Sequence, residues 1–515
     1  MTEHSLSDSS DSNQSNRRLK TSVRLQDTEN EGRPSIYLFI FVNPLSGNRQ
    51  GSYLIHLPIQ HFRLRRLPQV QVEIHNCLDP KDKEDGMKRI ALIESKVKQN
   101  EIPPIRTGNN KQPSSAPANP VNKRGHVMSE GEANAAATLP EGSGTLSPSA
   151  KTRHIHVWSA GGDGTVMSVV NMLEEYGIPF GTGNDFSQVL GWGRTTNKND
   201  VLGANLNEME RLICDRLEQA DAARLDVFRV IMESHASGHV RKADSDDKQQ
   251  KRVTRNMSNY MSIGVQGYVG SGFEKHRTNK RFLNILVYTI ESCKWVFWRK
   301  FPPINHFIEF IMDDNHQPVL QVPHNTSQES NQGEGAVPTL NGSAIDLVIQ
   351  NIPHIWGREV DLWSEASTGL ESVTNRRGCT DPTNWTPQLA NDGKLEMIAL
   401  GNMYSYIKKL LNARRHVSRV GQFKTPFEIV FRNPSSKHYQ KTGCLDFATR
   451  NRYERKNIMG VMCDGEFFII KDPKTIRFEH SARIWTLGRD SKDGKQGRLV
   501  QDEKFSAGNK GETTA

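Results

Sequence analysis

The sequence predicts an α/β fold followed by a β-rich region, and three stretches carry that expectation. Ile36 to Val42 is an unbroken apolar run, the pattern of a parallel strand buried on both faces, and Asn43-Pro44 ends it. His154-Ile155-His156-Val157-Trp158 alternates like a strand, Gly161-Gly162-Asp163-Gly164-Thr165 turns, and Val166, Val169, Val170 and Leu173 then recur at helical spacing. Beyond Leu225 the texture changes to short strands, among them 344–350, 395–400, 427–431 and 466–470.

Between the first two stretches, 69–76 alternates with Val70, Val72 and Ile74 on one face, and 85–98 reads as a helix, so the chain opens as a βαβ unit. Segment 103–150 is rich in Pro, Ser, Asn, Gly and Ala and lacks apolar periodicity. It is expected to be a disordered insert, because it cannot bury enough surface to offset the entropy of ordering. Similar polar inserts are expected at 235–255 and 324–342. The tails, 1–34 and 488–515, are expected to be disordered.

With 515 residues, 35% hydrophobic and 24% charged, the chain can form two domains, each with its own core. No apolar run approaches the roughly 20 residues of a membrane span. The first residues resemble neither a secretory signal nor a transit peptide, which implies a cytoplasmic protein. Six scattered cysteines without a C-x-x-C pair indicate neither disulfides nor zinc. A net charge of +9 suits an anionic membrane surface or nucleic acid. Zinc-finger spacing, an aromatic RNP-like block and a basic zipper helix are all missing, so no nucleic acid is expected.

The chemistry is concentrated in the glycines. Without side chains they let backbone N–H groups approach phosphate oxygens, and a helix starting just after them adds its positive dipole end. At the carboxyl end of a strand, Asp163 would lie at the mouth of a nucleotide crevice, with Mg²⁺ as its expected charge partner. For the pentapeptide alone, an ordinary turn with Thr165 as a helix cap reads equally well. A second block, Gly181-Thr182-Gly183-Asn184-Asp185, shifts the balance toward phosphate binding.

Together, GGDGTV at 161–166 and GTGNDFSQVLGWG at 181–193 resemble the catalytic domain of eukaryotic diacylglycerol kinases. Phe41-Val42-Asn43-Pro44-Leu45-Ser46-Gly47 looks like that family's first strand and phosphate-facing loop. Asn259-Tyr260-Met261-Ser262-Ile263-Gly264-Val265, Asn351-Ile352-Pro353, Asp392-Gly393-Lys394-Leu395-Glu396 and Asp464-Gly465-Glu466 are similar to successive blocks of its accessory domain. The resemblance implies a Rossmann-like nucleotide-binding catalytic domain at 35–224 and a β-sandwich-like accessory domain at 225–487. The resemblance is to the shorter architecture, so a catalytic plus accessory domain without zinc fingers or EF-hands is expected.

The resemblance implies a lipid kinase that moves the γ-phosphate of ATP, with Mg²⁺, to the primary hydroxyl of 1,2-diacylglycerol, giving phosphatidate at a membrane that the protein visits peripherally. Asn43, Ser46, Gly47, Gly161, Gly162, Gly164, Thr165, Gly181, Thr182, Gly183 and Asn184 are expected around the nucleotide. Asp163 is expected at the metal, Asp185 as a second carboxylate, and Glu396 as the base. Spacing alone would leave Glu396 a solvent-facing strand residue after a hairpin turn.

Segment 294–301 interleaves aromatics with cations and reads either as a membrane-interface contact or as core packing. Segment 407–424 reads as a lipid-attracting or simply solvated basic face. Two departures from the family pattern stand out. The stretch between Thr165 and Gly181 is short, and Gln266, Gly267, Gly272 and Glu274 stand where Asp, Ala, Asp and His are usual. They keep open a non-catalytic lipid- or nucleotide-binding scaffold, while a sphingoid-base or ceramide kinase, which shares the catalytic domain, is the other alternative, disfavoured by the GTGNDFSQVLGWG and Asn351-Ile352-Pro353 blocks.

Overall fold

A computed structural model of the chain describes residues 33–46, 51–57, 60–105, 145–175, 190–192, 206–243, 249–278, 281–324, 336–355, 358–359, 363, 370–401, 417–434, 452–489 and 498–511. They belong to two compact units, Met1–Gly161 with Thr196–Gln219, and Gly162–Thr195 with Ala220–Ala515.

In the first unit β1 (Ile36–Val42) is buried at every residue. It lies centrally because β2 (His61–Arg63), β3 (Val70–Asn76) and β4 (Ile155–Ala160) assemble in the order β2-β3-β1-β4. Strands β3 and β4 flank β1 in parallel, whereas β2 is an antiparallel edge on β3. The chain thus leaves β1 for one neighbour and returns to the other side as β4, so the strand order reverses between β1 and β4.

The expected helix runs Pro80–Lys98, starting earlier than its apolar spacing suggests because Asp79 caps it, accepting from Lys81 N, and Pro80 sits in the first turn. The Leu206–Gln219 helix buries Met209, Ile213, Cys214 and Leu217. Of the expected insert 103–150, residues 106–144 lie outside the described residues. Its last residues are packed rather than loose: Leu146, Ser147 and Ala150 are buried, and Ser147 N donates to Leu217 O at 3.1 Å.

The second unit is built on β5 (Ala220–Lys242), β6 (Arg252–Met257), β7 (Tyr260–Gly264), β8 (Ile308–Asp313), β9 (Pro318–Gln321), β10 (Thr339–Leu340) and β11 (Asp346–Gln350). A two-residue pair follows, β12 (His354–Ile355) with β13 (Arg358–Glu359), and then β14 (Val373–Thr374), β15 (Lys394–Leu400), β16 (Ser418–Lys424), β17 (Phe427–Phe431), β18 (Ile458–Cys463) and β19 (Glu466–Arg489). Among the described residues these form a 13-stranded ladder in the order β14-β10-β9-β8-β17-β19-β18-β7-β11-β15-β16, with β5 on β19 and β6 on β5. The ends of the ladder meet. Arg376, just beyond β14, donates to Arg419 O at 2.8 Å and Val420 O at 3.1 Å in β16. One apolar cluster takes in Val373, Leu340, Phe427, Phe478, Leu395 and Val420.

Two strands outrun the sequence reading. The strand expected at 466–470 continues to Arg489, bulging around Pro473, where the missing N–H interrupts its pairing with β5. The polar segment 235–255 is the far end of β5, which pairs with β19 from His239 to Lys242, and the start of β6, which pairs with β5 from Arg252 opposite Glu233 to Met257 opposite Phe228; 244–248 lie outside the described residues. The tail expected to be disordered from 488 instead carries a helix, Arg498–Gly511. It is anchored by buried Leu499 and Val500 and by Glu503, which accepts from the Arg224 guanidinium at 2.8 Å. Of the expected insert 324–342, residues 325–335, and of the N-terminal tail residues 1–32, lie outside the described residues.

The accessory motifs turn out to lock one another. Asp464, in the left-handed turn between β18 and β19, accepts from Ser258 N, Asn259 N and Tyr260 N at 2.6–3.0 Å. Asn351 N donates to Asn259 O at 2.9 Å, and the Asn351 amide donates to Ser258 O and Asp226 O. Replacing Asp464 with Ala leaves three buried N–H groups without an acceptor, each costing about 1–3 kcal/mol. Urea unfolding of this variant is expected to show a stability loss of at least about 3 kcal/mol on that scale. A change below about 1 kcal/mol would contradict the clamp.

Candidate active site

Two of the expected phosphate-facing segments are brought together at the carboxyl edge of the first sheet. Val42 is paired with Ala160, so the loop after β1 and the glycines after β4 leave adjacent parallel strands where the strand order reverses. That is where open α/β sheets hold ligands. Asn43 shapes its loop: its N donates to Ala160 O at 2.9 Å, its side-chain oxygen accepts from Leu45 N at 3.0 Å, and its carbonyl accepts from the Ser46 hydroxyl at 2.8 Å.

The Asp163–Glu175 helix begins directly after Gly161-Gly162, and Thr165 N bonds back to Gly162 O at 2.8 Å. Its apolar stripe is as expected: Val166, Val169, Val170 and Leu173 are buried, and Val166 and Val170 pack with Ile352, Leu225 and Val500. Thr165 is buried too. Gly47, Gly181, Thr182, Gly183, Asn184 and Asp185, with 176–180 of the short stretch before Gly181, lie outside the described residues.

Glu396 is described fully, and it does not face solvent: its exposure is 0%. Strand register places Tyr260, Gln350, Glu396 and Gln422 side by side across β7, β11, β15 and β16, all buried. Gln422 Nε2 donates to Glu396 Oε1 at 2.9 Å, and Tyr260 Oη donates to Gln266 Oε1 at 2.9 Å. Glu396 Oε2 and both amide atoms of Gln350 have no partner at hydrogen-bond geometry among the described residues; the Gln388 amide lies close enough to Glu396 to favour its anion without bonding it squarely. Burial pushes the Glu396 carboxyl well above the usual range, opposed by Gln422 and reinforced by the charge of Asp392. Buried carboxylates with raised pKa values suit proton transfer near neutral pH.

The strand carrying Glu396 is held at its start by a residue the sequence reading passed over. Asp226, fully buried in β5, accepts from Gly393 N at 2.7 Å, from the Arg483 guanidinium and from His480 Nε2 at 2.9 Å. Its signal in the sequence was a lone carboxylate inside the apolar run Leu225-Asp226-Val227-Phe228, which demands a buried partner. Gln350, following the apolar run Leu347-Val348-Ile349 just before Asn351-Ile352-Pro353, gave a weaker hint.

The unusual residues of the next block have packing roles. Gly267 sits where the Val265–Lys275 helix crosses β18 backbone to backbone, and an added Cβ would collide with Gly460. Gly272 makes room for the Glu291 carboxylate, and Glu274 pairs with Arg277 at 2.9 Å.

The titration of Glu396 gives a signed expectation. A carboxyl whose folded pKa is raised keeps its proton longer in the folded chain, so the fold loses stability as pH climbs above the unfolded value near 4.5. Glu396→Gln removes that loss. Melting curves should show the variant more stable than wild type at pH 8, with the difference closing below pH about 4.5. An unchanged or lowered melting temperature at pH 8 would mean that the carboxylate is comfortable as an anion.

Comparison with known proteins agrees with the order of these blocks. Residues 128–230 match the diacylglycerol kinase catalytic domain, and residues 256–442 match the diacylglycerol kinase accessory domain. Diacylglycerol kinase theta of Homo sapiens is 29% identical over 227 residues, 41% of this chain and 21% of the relative. Diacylglycerol kinase 2 of Arabidopsis thaliana is 30% identical over 161 residues, 28% of this chain and 20% of the relative. The chain thus spans about a fifth of the length of these relatives. A solved diacylglycerol kinase structure from Bacillus anthracis aligns over 87% of this chain and 96% of its own at 11% identity and a TM-score of 0.32. With a catalytic and then an accessory match along one sequence, and the motif residues of the second locked together in the fold, the chain belongs to the diacylglycerol kinase family.

Proposed function

We propose that this protein is an ATP-dependent lipid kinase that phosphorylates the primary hydroxyl of 1,2-diacylglycerol to give phosphatidate. The observation that carries the reading is Glu396: a fully buried carboxyl with a raised pKa, flanked by glutamine amides with bonding capacity to spare, inside the block that resembles the family's base. Such a group can take the proton of a lipid hydroxyl as the phosphate arrives. Gln350 can hold the hydroxyl oxygen, since both of its amide atoms are unused among the described residues.

ATP with Mg²⁺ would supply the phosphoryl group and neutralise its charge. The chain's part is to present backbone N–H groups. Asn43, Ser46 and the glycines 161, 162 and 164 suit phosphate oxygens, since the two loops leave adjacent strands and a helix starts at Asp163. We assign Asp163 to the metal, Asp185 as second carboxylate, and Gly47, Thr165, Gly181, Thr182, Gly183 and Asn184 to the nucleotide, on the resemblance. The same reading makes 35–224 a Rossmann-like catalytic domain and 225–487 an accessory domain expected to be sandwich-like, although the meeting of β14 and β16 around one core draws its single ladder toward a barrel instead.

Membrane attachment is part of the proposal. No described helix is long and apolar enough to cross a bilayer. The Arg281–Cys293 helix and the Lys294–Arg299 turn that continues it leave Ile285, Leu286, Ile290, Phe297 and Trp298 exposed, the last two at 71% and 76%. Lys294, Arg299 and Lys300 lie beside them, and only Trp295 of that segment is tucked into an aromatic cluster with Tyr268, Phe301 and Tyr453. Aromatics interleaved with cations on an amphipathic face suit an anionic lipid surface. Of the second basic segment, 402–416 lie outside the described residues, and Arg419 is stacked against Trp363 and Trp385.

The test is transfer from γ-labelled ATP to diacylglycerol, ceramide and sphingosine in mixed micelles. Label is expected in phosphatidate, lost in Asp163→Ala and reduced by about 10²–10⁴-fold in Glu396→Gln. Label in ceramide or sphingosine would move the assignment to a sister kinase, and no label from folded protein would favour a binding scaffold.

A further inference from the structure

The alternation of β3 leaves Glu73 and His75 on the face opposite Val70, Val72 and Ile74, where a half-exposed strand would show them to water. Both are instead buried under the Pro80–Lys98 helix, with exposures of 0% and 4%. The helix provides the space: at Gly86 a side chain would begin 2.9 Å from His75 Cγ.

Strand pairing sets His61 of β2 opposite Glu73, so two imidazoles and a carboxylate meet. His61 Nε2 and His75 Nε2 each lie 4.0 Å from Glu73 Oε2, and the three ligand atoms fall within 4.8 Å of one another. Arg89 and Gln71 both donate to the other oxygen, Glu73 Oε1, at 3.2 and 2.9 Å. Glu73 Oε2 and His75 Nε2 are buried without a hydrogen-bond partner among the described residues. Two lone-pair-bearing atoms that face each other too far apart for a hydrogen bond call for a cation between them.

The surroundings fix which imidazole nitrogen is available. His75 Nδ1 lies 3.1 Å from Asp82 Oδ1, and Asp82 Oδ2 is itself held by Asn76 N at 2.8 Å. A proton on Nδ1, shared with Asp82, leaves the Nε2 lone pair aimed at Glu73. This carboxylate–imidazole arrangement is the one that orients metal-ligating histidines. His61, 27% exposed, gives the pocket a side open to solvent.

We infer that His61, Glu73 and His75 form a binding site for a divalent transition ion of the zinc class, with Asp82 as the residue that positions His75. Three N/O donors with a fourth position left to water match the donor set such ions take, and ligand atoms about 3.3 Å apart would follow from bonds of about 2.0–2.1 Å. The site ties the edge strand β2 to β3 and is independent of the nucleotide-facing loops and of the proposed kinase activity.

The test uses the full chain stripped of metal and titrated with Co²⁺, read by its visible d–d absorption, with Zn²⁺ as competitor and Mg²⁺ present throughout. Wild type is expected to bind one Co²⁺, displaced by Zn²⁺, and to melt higher with Zn²⁺. Asp82→Asn should weaken binding by about 10–100-fold and Glu73→Gln at least as much. His61→Gln, at the exposed ligand, keeps the fold testable by circular dichroism and should lose the Co²⁺ band at equal concentration. Absence of the band from folded wild type, or equal affinity in wild type and His61→Gln, would overturn the site.

Discussion

The second unit depends on one buried carboxylate. Asp226 has no exposed surface, yet its charge is met by the Arg483 guanidinium at 2.6 Å and by His480, both on β19, and by Gly393 N before β15, so two separate parts of the ladder are tied to one point of β5. Removing a buried charge's partner is expensive, and so is removing the charge from its partners. The turn Asp392-Gly393 therefore cannot drift, and Glu396, two pairs of residues along the same strand, inherits a fixed height and face. Asp464 performs the same task for the β6–β7 turn, which Asn351 then joins to Asp226 through its carbonyl.

Burial of polar groups is thus the theme of this fold. Hydrophobic packing encloses the ladder, but the residues that make its loops recognisable are hydrogen-bonded amides and carboxylates. That explains how motif residues can read as family markers and still have structural work: Asp464 and the Asn351 amide N–H groups bind backbone, whereas Glu396 Oε2 and both amide atoms of Gln350 keep unused capacity among the described residues. Gln266 where an acid is usual fits the same logic, since it gives Tyr260 Oη an acceptor without adding a second buried anion to the strip that already holds Glu396.

Much of this was legible in the sequence. The apolar run of β1 and the helical stripe Val166, Val169, Val170, Leu173 are local patterns, and their burial follows directly. The strand Phe427–Phe431 is placed to the residue. Less legible were β5 and the far end of β19, whose alternating charges look like loop until each strand supplies the other's partners. The C-terminal helix was missed because its two anchoring residues, Leu499 and Val500, are few against a polar background. At the candidate site, the identity of Glu396 came from resemblance, but its burial and its row of neighbours came only from strand register, which no single segment encodes. Glu73 and His75 were hidden for the opposite reason, since alternation assigned them to a face that the next helix covers.

The most direct test of this account is amide hydrogen exchange of Asp226→Asn against wild type. If the carboxylate anchors the strand that carries Glu396, protection of the Gly393 amide should fall by at least about tenfold, with faster exchange spreading along β15. Protection at Gly393 and along β15 equal to wild type would show that Glu396 is positioned by apolar packing alone, and the central place given to Asp226 would be wrong.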